Sequence, residues 1–252
     1  MEFAANLSFL FREVAFLERF SKARDSGFRG VECAFPYDVD LDELVRAKEE
    51  ANVEQILLNA PPGDWSAGER GLGVLAGRED EFREKLLLAI KYCRALDCKR
   101  LHVMAGIAPA GDREECGKIY RKNLGVAAEL LEENGITLLI EPITTIPGYY
   151  LTSPKQALEI VEFVGHPNLK ILYDIFHAQR AEGNLSSFIE TNIQHIGHVQ
   201  VSQVPLRNEP NNEGEINYPF LFDFLCKIGY KGWIGCEYTP KGKTEDGLAS
   251  YK

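Results

Sequence analysis

The clearest pattern of hydrophobic positions in the sequence is a run of five apolar or β-branched residues at 136–140. Neither face of such a segment is polar, which predicts a strand of a parallel sheet that is covered on both sides. The run leads directly into Glu141, and Pro142 disfavours further strand pairing. The pattern therefore predicts a carboxylate at the C-terminal end of a buried parallel strand, where α/β barrels carry their chemistry.

Short apolar runs alternate with segments of helical spacing along the whole chain. The predicted strands cover residues 3–10, 28–35, 53–59, 100–104, 136–141, 169–173, 197–202 and 233–237. The predicted helices cover 13–25, 41–51, 79–96, 114–134, 154–164, 185–193 and 218–228, and residues 241–252 leave room only for a short or truncated final helix. Eight strands that alternate with helices predict an α/β fold, a closed (β/α)8 TIM barrel rather than an open doubly wound sheet.

One predicted connection is much longer than the others. Residues 63–77, after the third strand, are rich in glycine and contain Trp65 and Arg70. Loops of this length are usually either disordered or covers of an active site. Trp65 is accordingly expected either to close over a substrate or to pack beneath the loop.

Length and charge restrict the class of protein. The chain has 252 residues, and one TIM barrel typically has about 250, so a single domain over residues 1–252 is expected. There are 38 acidic and 28 basic residues, which give a formal net charge of −10. This balance disfavours non-specific binding to nucleic acids or anionic membranes, although it leaves a local basic patch open.

The cysteines and the apolar segments bear on the compartment. The six cysteines include no C-x-x-C pair, and Cys33 and Cys236 fall in predicted strands. Reduced, mostly buried thiols of an intracellular protein are expected rather than a disulfide framework. The N-terminus has no basic segment before a long apolar run, and no apolar stretch reaches about 18 residues. We therefore expect neither secretion nor a membrane span, and a cytoplasmic location.

Four successive predicted strands carry an oxygen-bearing side chain at their C-terminal ends. These residues are Glu141, Asp174, Gln200 and Glu237, separated by 33, 26 and 37 residues, or about one βα unit each. Because neighbouring strands of a barrel end on the same face, the four side chains are expected to converge. Three carboxylates and one amide form a ligand set of oxygens that suits Mg²⁺ or Mn²⁺ and suits zinc poorly.

Each of these residues also has an ordinary structural interpretation. An acid at a strand end can cap a helix or form a salt bridge, and a buried glutamine can hydrogen-bond to the backbone. Three uncompensated acids at one end of a barrel would, however, repel one another strongly. A divalent cation is the simplest group that holds them together, so a joint metal site is the preferred interpretation.

Seven short segments are similar to segments of a known family. They are Ala-Asn-Leu-Ser at 5–8, Pro-Pro-Gly-Asp at 61–64, His-Val-Met-Ala-Gly at 102–106, Glu-Pro-Ile at 141–143, Asp-Ile-Phe-His at 174–177, Gly-His-Val-Gln-Val at 197–201 and Gly-Cys-Glu-Tyr at 235–238. From end to end, the chain resembles the hydroxypyruvate isomerase family of the xylose-isomerase-like TIM barrel superfamily, which also contains ketose 3-epimerases.

The resemblance implies roles for individual residues. The family's metal ligands match Glu141, Asp174, Gln200 and Glu237, and its paired acid/base glutamates match the first and last of these. One departure is visible. The related epimerases carry a further glutamate soon after the first ligand, whereas here the chain continues from Glu141 with Pro-Ile-Thr-Thr-Ile-Pro. This difference disfavours a sugar epimerase and favours a smaller substrate.

The implied reaction is the isomerisation of hydroxypyruvate to tartronate semialdehyde (2-hydroxy-3-oxopropanoate) and back through a metal-stabilised cis-enediolate. The metal would act as a Lewis acid and a template for the carbonyl and hydroxyl oxygens. One of Glu141 and Glu237 would remove a proton from carbon, and the other would assist its transfer or return it. The order of the two stays open. A positioned base accelerates such a step by about 10²- to 10⁴-fold.

A substrate that carries a carboxylate is expected to meet a cationic side chain. Arg207, in the loop after the seventh predicted strand, matches a substrate-binding group of the related epimerases and is the first candidate. A solvated loop arginine is the alternative interpretation. Arg70, in the long loop at 63–77, is the second candidate for the substrate-binding cation.

Three further polar residues are less clearly assigned. His177 also matches a substrate-binding group of the epimerases, and it is expected either to hydrogen-bond a substrate oxygen or to orient Asp174. His102, which the pattern places in mid-strand, is interpreted as a core histidine whose nitrogens are hydrogen-bonded. Glu32, on the second predicted strand, either points into the barrel or forms a structural pair, and it is left unassigned.

Three rival functions remain in view. A related enzyme could isomerise a longer 2-oxo sugar acid or epimerise a ketose. An endonuclease-IV-like zinc phosphodiesterase needs a histidine-rich site, and five histidines with only His177 at a strand end argue against it, as does the acidic charge. A barrel that only binds or scaffolds is disfavoured by the two glutamates. The expected partner is a small hydroxy-keto acid, with no nucleic acid and no membrane, and a homo-oligomer is left open.

Overall fold

The eight predicted strands form a closed parallel barrel. The structure, a computed structural model, describes residues 1–211 and 213–248. Its strands follow one another around the barrel in chain order, and the first pairs with the last. They are β1 (Glu2–Asn6), β2 (Gly30–Cys33), β3 (Glu54–Asn59), β4 (Arg100–His102), β5 (Thr137–Ile140), β6 (Leu169–Asp174), β7 (Ile196–Val201) and β8 (Trp233–Cys236). The prediction of a (β/α)8 TIM barrel is confirmed.

Helices lie between the strands. They are α1 (Glu18–Asp25), α2 (Leu41–Ala51), α3 (Glu79–Ala95), α4 (Arg113–Glu132), α5 (Pro154–Val164), α6 (Ile175–Ala181), α7 (Leu185–Asn192), α8 (Tyr218–Lys227) and α9 (Thr244–Gly247), with short 3₁₀ turns at Pro36–Asp38 and Ile193–His195. The final segment predicted at 241–252 contains α9, and its residues 249–252 lie outside the described part of the chain.

Local sequence signals determine several helix ends. The side chain of Asp40 accepts hydrogen bonds from the backbone at the start of α2, and Ser153 does the same for α5, whose first residue is Pro154. The helix predicted at 114–134 ends at Glu132, and the chain then turns through Gly135, whose φ is 66°. A left-handed residue soon after the helix is the expected way for the chain to leave it.

The beginning of the chain differs from the prediction. The strand predicted at 3–10 ends at Asn6, because the backbone carbonyl of Asn6 accepts from the amides of Phe9 and Leu10 and closes a turn. The helix predicted at 13–25 begins only at Glu18. These shortened elements form a turn-rich segment at the C-terminal end of β1, which is the end of the barrel where chemistry is expected.

Helix α6 was not predicted. It begins immediately after β6, because Asp174 Oδ1 accepts from the amide of Phe176 at 2.8 Å and caps the first turn. The four residues at 175–178 are all buried, so the segment lacks the alternation of buried and exposed positions that identifies a surface helix in a sequence. The consequence is that His177 lies on a helix directly behind the strand end.

The long loop at 63–77 is ordered and packed. The amide of Gly71 donates to the carbonyl of Pro62 at 2.8 Å, and that of Val74 donates to the carbonyl of Ala105 at 2.9 Å. Gly71 has a φ of 122°, and a Cβ on it would lie 2.5 Å from the Met104 carbonyl oxygen. Only glycine allows this close approach, which fixes the loop against the connection that follows β4.

The cysteines and the polarity of the helices complete the description of the fold. All six cysteines are free, and Cys226 alone among them is exposed. Within residues 1–211 and 213–248, the helices are too short or too polar for a membrane span.

Candidate active site

Alternation along the strands places the candidate residues inside the barrel. Side chains two positions apart on a strand point to the same face of the sheet. Positions 139, 172, 198 and 235 face the barrel interior, so positions 141, 174, 200 and 237 face it as well. The side chains of Glu141, Asp174 and Gln200 are buried, and Glu237 is partly buried. Asp174 and Gln200 are also direct register partners of β6 and β7. Strand alternation and register therefore direct these side chains inward at the C-terminal end of the barrel.

A group of three buried side chains could hold a metal ion. One potential ligand atom from each of Glu141, Asp174 and His177 lies within 4.8 Å of the other two. His177 enters this group because α6 begins directly after Asp174 and turns its third residue back toward Glu141. The sequence had assigned His177 to substrate binding, and the ligand role of the four oxygen donors stays a prediction.

Asp174 uses its two oxygens differently. Oδ1 caps α6, which is the structural role that a strand-end acid often has. Oδ2 accepts from Arg207 Nη2 at 3.1 Å and lies 3.7 Å from His177 Nε2. The cap fixes the orientation of the carboxylate and leaves the second oxygen directed into the site.

The tautomer of His177 follows from its hydrogen bonds. The amide of Thr144 donates to His177 Nδ1 at 3.2 Å, so this nitrogen is an acceptor and the neutral ring carries its proton on Nε2. Nε2 lies 4.0 Å from Glu141 Oε1. Burial, reinforced by the nearby charge of Arg207, lowers the pKa of His177 well below its ordinary value. The imidazole therefore offers a neutral N–H donor to the site.

Arg207 connects the two sides of the site. Its Nη2 donates to both Asp174 Oδ2 and Glu237 Oε2. The guanidinium lies 5.0 Å from the ring centre of Phe9 and 5.1 Å from that of Phe176. Burial alone would lower the pKa of Arg207, but the carboxylates of Glu237 and Asp174 outweigh it and raise the pKa. Arg207 also has a left-handed φ of 59°, a strained conformation of the kind that occurs at functional sites.

The electrostatics favour a cation. Burial raises the pKa of Glu237 to about 8, against the opposing effect of Arg207 and with that of Asp174 in addition. The pKa of Glu141 is raised well above its usual range, by burial first and then by the charges of Glu237 and Asp174. Burial also raises the pKa of Asp174, although Arg207 opposes the shift. One guanidinium does not balance these carboxylates, and a divalent cation would.

The donor atoms suit a hard divalent cation. Carboxylate oxygens come from Glu141, Asp174 and Glu237, and Gln200 can add an amide oxygen. Gln200 Oε1 is buried and has no hydrogen-bond partner among the residues that the structure describes. An unpartnered buried oxygen costs free energy, which a ligand at this position would recover.

Two site residues were missed or misinterpreted in the sequence. Glu32 is fully buried and accepts hydrogen bonds from Asn6, His198 and Gln200. His102 is buried as predicted, but the interpretation that its nitrogens are hydrogen-bonded is wrong. In the described part of the chain neither ring nitrogen has a hydrogen-bond partner, and Nδ1 lies 3.4 Å from an oxygen of Glu141. Burial lowers the pKa of His102 to about 3, so the ring is neutral.

Arg70 lies in the long loop and contacts that loop. Its guanidinium stacks 3.7 Å from the ring centre of Trp65 and donates to the backbone carbonyls of Trp65 and Glu69. Trp65 is 48% exposed and lies 5.4 Å from the ring of Phe35. The structure therefore brings Arg207, and not Arg70, into direct contact with the candidate carboxylates.

Known proteins resemble this chain in sequence and in structure. A family model described as xylose isomerase-like TIM barrel matches residues 20–252. Hydroxypyruvate isomerase of Escherichia coli (strain K12) is 47% identical, over 98% of this chain and 97% of that protein. The 2-oxo-tetronate isomerase of Cupriavidus necator is also 47% identical, over 99% of this chain and 97% of that protein.

A solved structure is similar over the same length. It is described as AP endonuclease, family 2 from Brucella melitensis, and it has 48% sequence identity and a TM-score of 0.96. The similarity covers 98% of this chain and 96% of that one. The chain therefore belongs to the xylose isomerase-like TIM barrel family and, within it, to the hydroxypyruvate isomerase group of isomerase enzymes.

Proposed function

We propose that this isomerase interconverts hydroxypyruvate and tartronate semialdehyde. The observation that carries the proposal is the buried group of Glu141, Asp174 and His177, which Arg207 connects to Glu237 at the end of the barrel. Relatives that match over nearly their whole length are named hydroxypyruvate isomerase and 2-oxo-tetronate isomerase. Both substrates are small 2-oxo acids with a hydroxyl on the adjacent carbon, so a 2-oxo acid isomerase agrees with both names.

The cation of the proposed site would be held by Glu141, Asp174, Gln200 and Glu237, with Mg²⁺ or Mn²⁺ as the ions that such oxygen donors prefer. When bound, it would supply Lewis-acid polarisation of the substrate oxygens. In this proposal His177 is not a metal ligand, and its role is to form a hydrogen bond next to the ligands. Its Nε2–H is directed toward Asp174 and Glu141 and would donate to a substrate oxygen or hold Asp174 in place.

The protein's own part in the reaction is a proton transfer between neighbouring carbons. In hydroxypyruvate, one carboxylate of the pair Glu141 and Glu237 removes a proton from C3, and the electron pair of that bond forms the enediolate. Return of a proton to C2 and transfer of the C3 hydroxyl proton to the C2 oxygen give the aldehyde. No electrons leave the substrate, so no redox cofactor is required. Either glutamate can begin the sequence, and the reverse reaction exchanges their roles.

Arg207 is proposed to bind the substrate carboxylate. It is already held in a defined position by Phe9 and Phe176, and its planar guanidinium can form paired hydrogen bonds to a carboxylate. Arg70 is the second candidate for this role, because it lies on the loop after β3 at the same end of the barrel.

The decisive experiment measures turnover of hydroxypyruvate by the purified protein. Activity is recorded as prepared, after removal of metal with a chelator, and after addition of Mg²⁺ or Mn²⁺. The proposal expects turnover that is lost on chelation and restored by a divalent ion. Turnover that is unchanged by thorough chelation would contradict the metal site, and the absence of turnover with either ion would contradict the substrate.

A second candidate substrate is 2-oxo-tetronate. The identity to the Cupriavidus necator enzyme equals that to the Escherichia coli hydroxypyruvate isomerase. The two acids share C1 to C3 and differ by one hydroxymethyl group, so the same carboxylates would move the same proton. The ratio of kcat/KM for the two acids decides between them. An endonuclease is not proposed, because the metal-competent group contains a single histidine and the chain is strongly acidic.

A further inference from the structure

We propose that Glu32 is a positioning residue that orients two of the proposed metal ligands, Gln200 and Glu237. The inference rests on the metal site of the proposed function. Glu32 lies in β2, on the opposite side of the barrel from β5 and β6, and its carboxylate is fully buried. It does not belong to the group of Glu141, Asp174 and His177, and its role would be exerted through other side chains.

The first step of the argument is the amide of Gln200. Gln200 Nε2 donates to Glu32 Oε1 at 2.7 Å. A carboxylate can only accept, so the amide must present its NH₂ group to Glu32, and the reversed orientation would place two oxygens against each other. Gln200 Oε1 is consequently turned away from Glu32, and it is the buried oxygen that has no partner in the described chain. Glu32 therefore determines which atom Gln200 offers to the cation.

The second step is Asn6, at the end of β1. Its Nδ2 donates to Glu32 Oε1 at 3.0 Å and to Glu237 Oε1 at 3.1 Å. Its Oδ1 accepts from the amide of Ser8 at 3.0 Å, which fixes the orientation of this amide as well. Through Asn6, Glu32 is thus connected to Glu237 on β8, while Arg207 holds the other oxygen of Glu237.

The third step is the anchor of Glu32 itself. Glu32 Oε2 pairs with His198 Nε2 at 2.8 Å, and both side chains are fully buried. The barrel also leaves space for the carboxylate at Gly235, where an added Cβ would lie 2.5 Å from both oxygens of Glu32. Three hydrogen-bond donors therefore surround the carboxylate, and the lack of a side chain at Gly235 leaves the space that it occupies.

A purely structural role would not need this arrangement. Another part of the barrel interior is filled by apolar side chains, the cluster Leu57, Leu139 and Leu172. A buried carboxylate is costly unless its oxygens are fully hydrogen-bonded, and replacing a polar network with apolar residues is often neutral for stability. By contrast, removing a residue that orients a metal ligand commonly weakens metal affinity by about 10- to 100-fold.

The test is Mn²⁺ binding by the substrate-free protein, measured from the free-ion signal in electron paramagnetic resonance. Glu32→Gln keeps the shape of the side chain and removes the charge that orients Gln200 and Asn6. We expect the dissociation constant for Mn²⁺ to rise by about 10- to 100-fold. Glu13→Gln is the matched control, because Glu13 also accepts hydrogen bonds, but from Thr244 outside the barrel interior. It should bind Mn²⁺ like the unmodified protein.

The outcomes separate this inference from the proposed function. If the unmodified protein binds Mn²⁺ and the dissociation constant of folded Glu32→Gln differs from that value by less than twofold, Glu32 does not position the ligands. If the unmodified protein does not bind Mn²⁺, the metal site fails and this inference fails with it. Should Glu32→Gln not fold, Glu32→Asp keeps the charge but withdraws the carboxylate by one methylene. It is then expected to weaken Mn²⁺ binding at least threefold, and unchanged binding would again overturn the role.

Discussion

Arg207 Nη2 lies 3.1 Å from Asp174 Oδ2, and the same nitrogen donates to Glu237. The arginine that the sequence assigned to substrate binding is therefore also a structural partner of two candidate ligands. Its cation reduces the repulsion between these carboxylates, and its left-handed backbone and the two flanking rings show that its position is strongly determined. Any substrate carboxylate that it binds would be placed directly beside the proposed acid/base pair.

Removing this guanidinium should affect acidic substrates selectively. Arg207→Ala is expected to raise KM for hydroxypyruvate by at least about tenfold, because a charge-assisted hydrogen bond of roughly 1.5–3 kcal/mol is lost. For a neutral analogue such as dihydroxyacetone, KM should change much less. Steady-state kinetics with both compounds measure the difference, and an equal change for both would contradict the anchoring role.

Two other arginines serve as comparisons for Arg207. Arg121 also stacks on an aromatic ring, that of Phe163, but it does so on α4. Arg121→Ala is expected to leave KM unchanged. Arg70→Ala tests the second candidate directly. If it raises KM for hydroxypyruvate more than Arg207→Ala does, the substrate carboxylate is bound by the long loop instead.

Glu237→Gln should abolish turnover while the fold remains intact. The amide cannot exchange a proton with carbon, and the expected loss in kcat is at least about 10²-fold. Because Glu237 is also a proposed ligand, kcat is measured at several Mn²⁺ concentrations up to saturation. Circular dichroism verifies the fold, and near-normal kcat at saturating metal would remove Glu237 from the acid/base role. Glu209→Gln, a buried glutamate that accepts from the amide of Lys241, is the control.

The barrel and the four strand ends could be predicted because both depend on short-range patterns. Apolar runs identify buried strands, and the residue that ends each run must lie at the same end of the barrel as its neighbours. Glu32 could not be assigned in this way. Its partners Asn6, His198 and Gln200 come from β1 and β7, and nothing in the sequence near Glu32 reveals that three donors meet it.

The predictions for His102 and for the segment of α6 failed because their local patterns were misleading. The fourth strand was predicted to continue to residue 104, which placed His102 in mid-strand, whereas β4 ends at His102 and turns it toward Glu141. The first four residues of helix α6 are all buried and its last three are not, so the segment shows no period of 3.6 residues. In both cases tertiary packing, which is absent from the local pattern, decided the outcome.

His102→Leu and His198→Leu should have opposite effects on stability. His102→Leu removes two buried nitrogens that lack partners among the described residues, so the free energy of unfolding of the metal-free protein should rise by roughly 1 kcal/mol. His198→Leu removes one hydrogen-bond donor from the buried carboxylate of Glu32 and should lower the free energy of unfolding by about 1–3 kcal/mol. Urea unfolding in the presence of a chelator measures both.

Activity adds a second measurement for His102. Its Nδ1 is close enough to Glu141 to influence the orientation of that carboxylate, so kcat of His102→Leu should fall by about tenfold or more even though the protein is no less stable. If His102→Leu lost as much stability as His198→Leu, the interpretation of His102 as a hydrogen-bonded core residue would be restored.

Gly235→Ala tests how closely the barrel is fitted to Glu32. The new Cβ would lie 2.5 Å from both carboxylate oxygens, and because Gly235 is in β8 the backbone cannot move away without disturbing the pairing with β1 and β7. We expect the free energy of unfolding to fall by about 1–3 kcal/mol. Gly125→Ala is the matched control. Gly125 lies within α4 with open space around it, so alanine should stabilise the protein by up to about 1 kcal/mol. Urea unfolding compares the two variants, and equal stability of Gly235→Ala and the unmodified protein would show that Glu32 can move aside.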